Sequence, residues 1–347
     1  MTTEAIMIAP LQAHQRRKRV KKFTTPLALT IALLFAPFAA NPCAAQTDAW
    51  PSKPVRVIVP FAAGGAADIL ARIVSDHLGR VLGQSFVIDN RAGAGGLVGE
   101  QAGARSDPDG YTFVVSGIAP SVIAPAMSST PTFDPLKDFT HIAYLGGPPL
   151  VLLVHPSLGV KTFAEFLTLI RSRPEGLGYV SPGTGTHGHL FAEYLAQKEH
   201  IKLEHVPYKG SAPALIDLIA GHVKVGTMAW VSAAEEIRTG ALRVLAVSSD
   251  ARVAADPSVP TFKQLGYPDL VAATWFGISG PAGISPDIAQ KLNGAVTQIL
   301  QLEDVKKRFA QDAVQIVPMT PQQYTAFIGR EMAIWQPLAK TLNKQVN

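Results

Sequence analysis

Cysteine is almost missing from this chain. The 347 residues contain one, Cys43, and it falls in an N-terminal leader, so thiol catalysis, disulfides and cysteine-ligated metals are excluded from the mature domain. Long apolar runs are also missing. Beyond the leader no stretch of 18 apolar residues occurs, and the mature protein is expected to be exported and soluble rather than membrane-spanning. The leader has a basic segment, Arg16 to Lys22, an apolar segment, Pro26 to Ala40, and the small residues Cys43-Ala44-Ala45. That order is the pattern of a signal peptide at residues 1–45, cut near Ala45, and it implies a periplasmic location. Asn41-Pro42 ahead of Cys43 argues against a lipid anchor.

A dominant charge sign is lacking too. Removing the leader takes away six basic residues and one acidic residue, which leaves 25 of each. With no net charge and no basic stripe interleaved with aromatics, nucleic acid is not an expected partner. No repeat of 20 to 50 residues is visible, and no G-x-S-x-G elbow marks a nucleophile.

What is present is an alternation of β-type and helical stretches, which argues for a mostly parallel sheet covered on both faces. At 47% apolar and 16% charged the composition is globular, and the length allows two domains. Val55 to Val59 reads as a strand. It runs through Pro60, Phe61, Ala62, Ala63, Gly64, Gly65, Ala66 and Ala67 into Asp68 and a helix ending near Leu82. Such a turn leaves backbone N–H groups free at the positive end of a helix, with glycines that let a ligand approach. An ordinary strand-to-helix connection capped by Asp68 fits the same residues.

A second loop, Ser181-Pro182-Gly183-Thr184-Gly185-Thr186-His187-Gly188, lies between a short strand and a helix. Its G-x-G-x-x-G spacing is that of dinucleotide sites, but export and Pro182 before the first glycine oppose that use. The physics of an anion cradle remains. His187 and His189 form an H-x-H pair with Glu193 one turn on, yet no further ligand clusters there. No metal, cofactor or catalytic residue is therefore expected. Residues 116 to 150 read as irregular and proline-rich, Leu150 to Val154 as a buried strand, and Trp275 to Pro281 as a return strand.

The ordered motifs carry a resemblance. Trp50-Pro51-Ser52-Lys53-Pro54, Pro60-Phe61 with Gly64-Gly65 and Asp68, Asn90-Arg91, Pro108-Asp109-Gly110-Tyr111-Thr112, Asp134-Pro135, the loop from Ser181 to Thr186, Val206 to Leu215 and Thr274-Trp275-Phe276-Gly277 resemble, in sequence order, the solute-binding receptors of tripartite tricarboxylate transporters, the Bug family. The resemblance implies a type II periplasmic binding protein, with two α/β domains joined by two strand crossings around a ligand cleft. Domain 1 would comprise residues 46–152 and 276–347, and domain 2 residues 153–275. It implies a non-enzymatic monomer that holds a small organic carboxylate through main-chain amides and delivers it to the membrane subunits of a transporter. A ligand-dependent partner of a membrane sensor kinase would keep the same fold, and a secreted enzyme acting on a carboxylate is the remaining alternative.

The site implied by the resemblance comprises Phe61, Ala62, Gly64, Gly65, Ala66, Ala67 and Asp68 from the first loop and Ser116 and Ile118 after the Tyr111 strand. It adds Ser181, Gly183, Thr184, Gly185, Thr186 and His187 from the second loop, and Met228. Where relatives carry Ser-Thr before the aspartate, this chain has Ala66-Ala67, and Met228-Ala229 replace a frequent Asp-Asn pair. The loss of those polar partners disfavours hydroxylated or amino-bearing acids. A ligand with an apolar or aromatic body is expected, with Phe61, Ile118, Met228, Trp230 and Trp275 as walls. Plain core packing is the competing reading for those five, equally good for Trp275 and better for Trp230.

Overall fold

The computed structural model describes the backbone of residues 50–346 and side chains as far as residue 341. The expected leader, 1–45, lies outside the described residues.

Two five-stranded sheets organise the body. The first contains β1 (Val55–Val59), β2 (Phe86–Asn90), β3 (Thr112–Gly117), β4 (Phe139–Gly146) and β10 (Phe276–Pro281) in the order β2-β1-β3-β10-β4. The second contains β5 (Leu150–Val154), β6 (Leu177–Ser181), β7 (Leu203–Pro207), β8 (Val225–Ala229) and β9 (Arg243–Val247) in the order β7-β6-β8-β5-β9. In each sheet three neighbouring strands are parallel, and one strand runs against its neighbours: β10 in the first, β5 in the second. Both reversed strands are those that enter directly after a crossing between the sheets. The sheets are thus mixed, because a chain returning through a short crossing arrives from the opposite end.

The helices are α1 (Ala66–Leu82), α2 (Leu97–Ala104), α3 (Ala124–Met127), α4 (Phe163–Arg171), α5 (His187–Glu199), α6 (Ser211–Ile219), α7 (Ala234–Thr239), α8 (Pro286–Ile299), α9 (Glu303–Gln311) and α10 (Pro321–Val346). Helix α1 shows why they form where they do. Ala67, Leu70, Ala71, Val74 and Leu78 recur at helical spacing and are buried against the first sheet, each large one contributing about 1.5–3 kcal/mol. Gly83 ends it in a left-handed conformation.

The sheet pairing moves one boundary. Leu150–Val154 pairs along its whole length with β8 and β9, so the crossing occupies residues 147–149, and a boundary after 152 would cut a strand. The return crossing runs beside it, with the Thr274 amide donating to Pro148 O at 2.8 Å.

The segment expected to be irregular also proves ordered. Ile118–Ile123 forms a π-helical turn leading into α3, and Phe139–Gly146 is a full strand. That strand is buried on both faces, so it lacks the alternation by which a half-exposed strand is read. Its polar His141 is satisfied in the core, with Nδ1 2.8 Å from Ser279 Oγ and Nε2 2.9 Å from Pro135 O. Helix α10 packs on β4 and on α3, and through its cluster with Ile118, Trp275 and Tyr324 it reaches Leu190 of the second sheet's α5.

Close packing at the middle of β10 yields a stability prediction. A Cβ on Gly277 would collide with the Tyr324 hydroxyl and stand 2.6 Å from the Ala143 carbonyl. Gly277→Ala is expected to destabilise by about 2–3 kcal/mol, visible as a lowered melting temperature in calorimetry. An unchanged melting temperature would mean that β4 and α10 yield more easily than their burial suggests.

Candidate functional site

The two lobes meet around a cavity of about 40 Å³, measured as space open to the centre of a water molecule. Its wall is formed by Phe61, Gly65, Ala66, Ala67, Ala119 and Phe276 from the first lobe and Leu150, Pro182, Thr186, His187, Gly188, Ser211, Ala229 and Thr274 from the second lobe and the return crossing. A volume of that size holds a few waters at most, and the lobes are shut over it. The Ala62 amide donates to Lys209 O at 3.2 Å, and the Ala66 amide donates to Ser232 Oγ at 3.1 Å, both across the cleft.

Three helices start at this cavity: α1 at Ala66, α5 at His187 and α6 at Ser211. Among the described residues, the amides of Gly65 and Ala67 at the start of α1, and those of His187 and Gly188 at the start of α5, have no hydrogen-bond partner. Unpartnered N–H groups at two helix N-termini across one small space make a place for an anion, without any cationic side chain. Around them the wall is largely alanine, phenylalanine and leucine.

Of the residues singled out from sequence, Phe61, Gly65, Ala66, Ala67, Thr186 and His187 line the cavity. The others hold the loops or the core. Asp68 is buried and fully engaged: Oδ2 accepts from the Gly64 amide at 2.9 Å and Arg72 Nε at 2.8 Å, and Oδ1 accepts from Asn90 Nδ2 at 2.9 Å. Burial pushes its carboxyl up, but the bonds from Arg72, Gly64 and Asn90 outweigh that and leave it below the ordinary range. Asn90 also donates to Phe61 O at 3.0 Å, so Asp68 pins the first loop from behind. Gly64 sits on the outer side, and Ala62 is spent on the contact to Lys209.

Ser116 lies 2.9 Å from the Tyr324 hydroxyl, inside the first lobe's polar core. Ile118 belongs to the α10 cluster and Met228 to the second lobe's core. Of the five expected walls only Phe61 lines the cavity; Trp230 and Trp275 are core. Along β8 strand alternation turns Met228 into its own lobe and presents Ala229 to the cleft, while Ile118 and Trp230 open a π-helical and a 3-10 turn whose packing buries them and leaves Ala119 at the cavity.

The second loop is braced in a similar way. Ser181 Oγ accepts from the Gly183 amide at 3.1 Å and lies 2.7 Å from His205 Nε2. Thr186 Oγ1 donates to Gly183 O at 2.7 Å. The Gly185 amide points to His189 Nδ1 at 3.4 Å, and Thr184 is exposed. The H-x-H pair divides: His189 stacks on His205 with ring centroids 4.1 Å apart, while His187 Nδ1 stands 3.0 Å from Thr274 Oγ1. Glu193 accepts from the Tyr179 hydroxyl at 2.7 Å. Burial holds His187 down to about 3 and His189 to about 4, and burial together with His189 holds His205 to about 3. At neutral pH all three are uncharged.

Gly183 has a φ of +138°, and a Cβ there would meet Tyr208 O at 2.5 Å. Gly183→Val is therefore expected to unfold the second lobe locally, not to act as a clean binding variant: far-ultraviolet circular dichroism melts should show a loss of several degrees. A wild-type melt would overturn this.

Sequence reasoning missed Ala119, Leu150, Pro182, Gly188, Ser211, Ala229, Thr274 and Phe276 as wall residues. Ser211, Thr274 and Phe276 sat in motif stretches already noted, but which residue of a motif faces the cleft depends on the packing of both lobes.

Comparison with known proteins gives the family. The family described as "Tripartite tricarboxylate transporter family receptor" matches residues 70–344. The chain is 34% identical to Protein BugT of Bordetella pertussis over 308 residues, 88% of this chain and 94% of that one. The structure of R. palustris Rpa4515 with adipate superposes with a TM-score of 0.81 at 32% identity, over 84% of this chain and 98% of that one. MatC from Rhodopseudomonas palustris with bound malate gives 0.79 at 29% identity, over 83% and 99%. The fold is that of a type II periplasmic binding protein, and the chain belongs to the receptor family of tripartite tricarboxylate transporters.

Proposed function

We propose that this protein is a periplasmic receptor that closes over a small organic carboxylate with an apolar body and delivers it to the membrane subunits of a tripartite tricarboxylate transporter. One observation carries the reading: the free amides at the starts of α1 and α5 converge on the cavity between the lobes, whose remaining wall is mainly apolar. The amides supply the anion site, and the apolar wall selects the body. Relatives solved with malate and adipate support the ligand class. Closure follows from the same contacts, since the ligand favours the shut state only through groups brought together on shutting. The leader pattern in residues 1–45 and the family support export; the mature chain should begin near Gln46 on N-terminal sequencing.

Calorimetric titration of the mature protein with phenylacetate, adipate, malate and citrate tests the reading. Phenylacetate or adipate should bind at least about tenfold more tightly than malate or citrate, whose hydroxyls would be buried unpaired. Tighter binding of malate or citrate would remove the apolar-body claim, and no binding by any of the four would remove the carboxylate claim.

A further inference from the structure

We infer that His187 is the specificity-determining side chain of the cavity, presenting a neutral Nε2–H to the ligand from a tautomer set by Thr274. The inference rests on the carboxylate reading above and adds a side-chain donor to its backbone amides.

His187 is 1% exposed and belongs to the cavity wall, as does Thr274. Its Nε2 is one of two buried side-chain polar atoms without a hydrogen-bond partner among the described residues. A polar atom left unpaired in a packed interior is unfavourable unless something absent from the protein satisfies it. Here the unpaired atom sits on a residue whose own amide, with that of Gly188, already faces the cavity.

The tautomer follows from the partner. Nδ1 stands 3.0 Å from Thr274 Oγ1. Among the described residues that hydroxyl has no other acceptor, so its proton goes to Nδ1 and the ring hydrogen is on Nε2. An Nε2–H can only donate, and the ligand atom that it suits is a carboxylate oxygen. The ring also meets Trp335 of α10, with centroids 4.8 Å apart at 73°. Trp335 fixes the ring plane, and its π face is the rival destination for the N–H.

Three variants separate these roles. His187→Phe keeps a flat ring beside Trp335 and removes both nitrogens. Its affinity for the tightest-binding of phenylacetate, adipate and malate should fall at least about tenfold, while its melting temperature changes by only a few degrees, because removing the unpaired Nε2 offsets the lost bond to Thr274. A purely structural histidine would give the reverse pattern, a lowered melting temperature with unchanged affinity, and that result overturns the inference. His187→Gln, which retains a donor, should recover part of the lost affinity; no recovery counts against donation.

Nitrogen-15 spectra of the ligand-free wild type should show a protonated Nε2 and a bare Nδ1, and Thr274→Val should redistribute the tautomers and weaken binding several-fold. A protonated Nδ1 in the wild type overturns the assignment. If the wild type binds none of the three acids, the carboxylate reading fails and this inference with it. If the wild type binds and His187→Phe binds equally well, only this inference fails.

Discussion

Stability is expected to peak at about pH 7 and to fall by up to about 1.4 kcal/mol per pH unit toward pH 8, a decline that Glu100→Gln should lack. Glu100 on α2 is fully buried. Ser121 Oγ donates to its Oε1 at 2.6 Å, and Oε2 has no partner among the described residues. Burial pushes its carboxyl up to about 8, with the Ser121 bond pulling only weakly the other way. The folded protein therefore keeps a proton that the unfolded chain gives up above its ordinary value of 4.5. Between those values the native state binds more protons than the unfolded one, so stability is lost as pH rises. Glutamine has no proton to lose, and the alkaline decline should vanish with it.

The acid side of the same profile belongs to the histidines. Burial holds His141, His187 and His189 to about 4, about 3 and about 4, and burial together with His189 holds His205 to about 3, against an ordinary 6.5. As pH falls below 6.5 the unfolded chain takes up protons that the fold refuses, and stability drops. Over that interval four histidines outweigh the opposing slope of Glu100, and the slopes cancel once about one proton remains among the four in the unfolded chain, which places the maximum at about pH 7. Denaturant titrations of wild type and Glu100→Gln at half-unit steps from pH 5 to 8 check both limbs. Parallel wild-type and variant curves above about pH 7 would show that Glu100 is ionised in the fold.

The second large effect is on binding. Ala66→Leu is expected to weaken binding of the preferred acid at least about 100-fold, close to 2.8 kcal/mol. Ala66 lies in the wall of a cavity of about 40 Å³ and its amide closes the cleft onto Ser232. Three added carbons occupy the ligand's space or hold the lobes apart, and either removes the contacts that depend on closure. The melting temperature should fall by only a few degrees, since overpacking at the buried Ala66 costs about 1–3 kcal/mol and the cavity takes up part of the added volume. Isothermal calorimetry reads the result directly, and wild-type affinity would place the ligand elsewhere.

The smaller change Ala66→Ser tests selectivity. A hydroxyl restored at this position should narrow the preference for adipate over malate, because malate's own hydroxyl gains a partner. An unchanged ratio would mean that Ala66 does not face the ligand's polar groups.

Much of this molecule was legible in its residues. The Gly-rich turn after Val55–Val59, the second turn at Ser181 to His187, and the strand-helix alternation follow from local chemistry: glycine freedom, β-branched runs and helical periodicity act over a few neighbouring residues. The family was also legible, since its motifs recur in order along the chain. Asp68 was readable as a loop element but not as the residue that ties Gly64, Arg72 and Asn90 together, because Asn90 comes from the next strand.

Sequence by itself determined the two Gly-rich turns that open helices, the shortage of polar groups at Ala66 and Ala67, and the lack of any cysteine beyond Cys43. Tertiary structure alone decided which residues face one another across the cleft. It turned Met228, Ile118, Trp230 and Trp275 into core and brought Ala119, Ser211, Ala229 and Thr274 to the cavity. It left His187 and Glu100 buried with unpaired atoms, which no spacing predicts. The physical reason is range: turns and helix starts depend on adjacent residues, whereas burial and polar pairing depend on strands and helices brought together from distant parts of the chain.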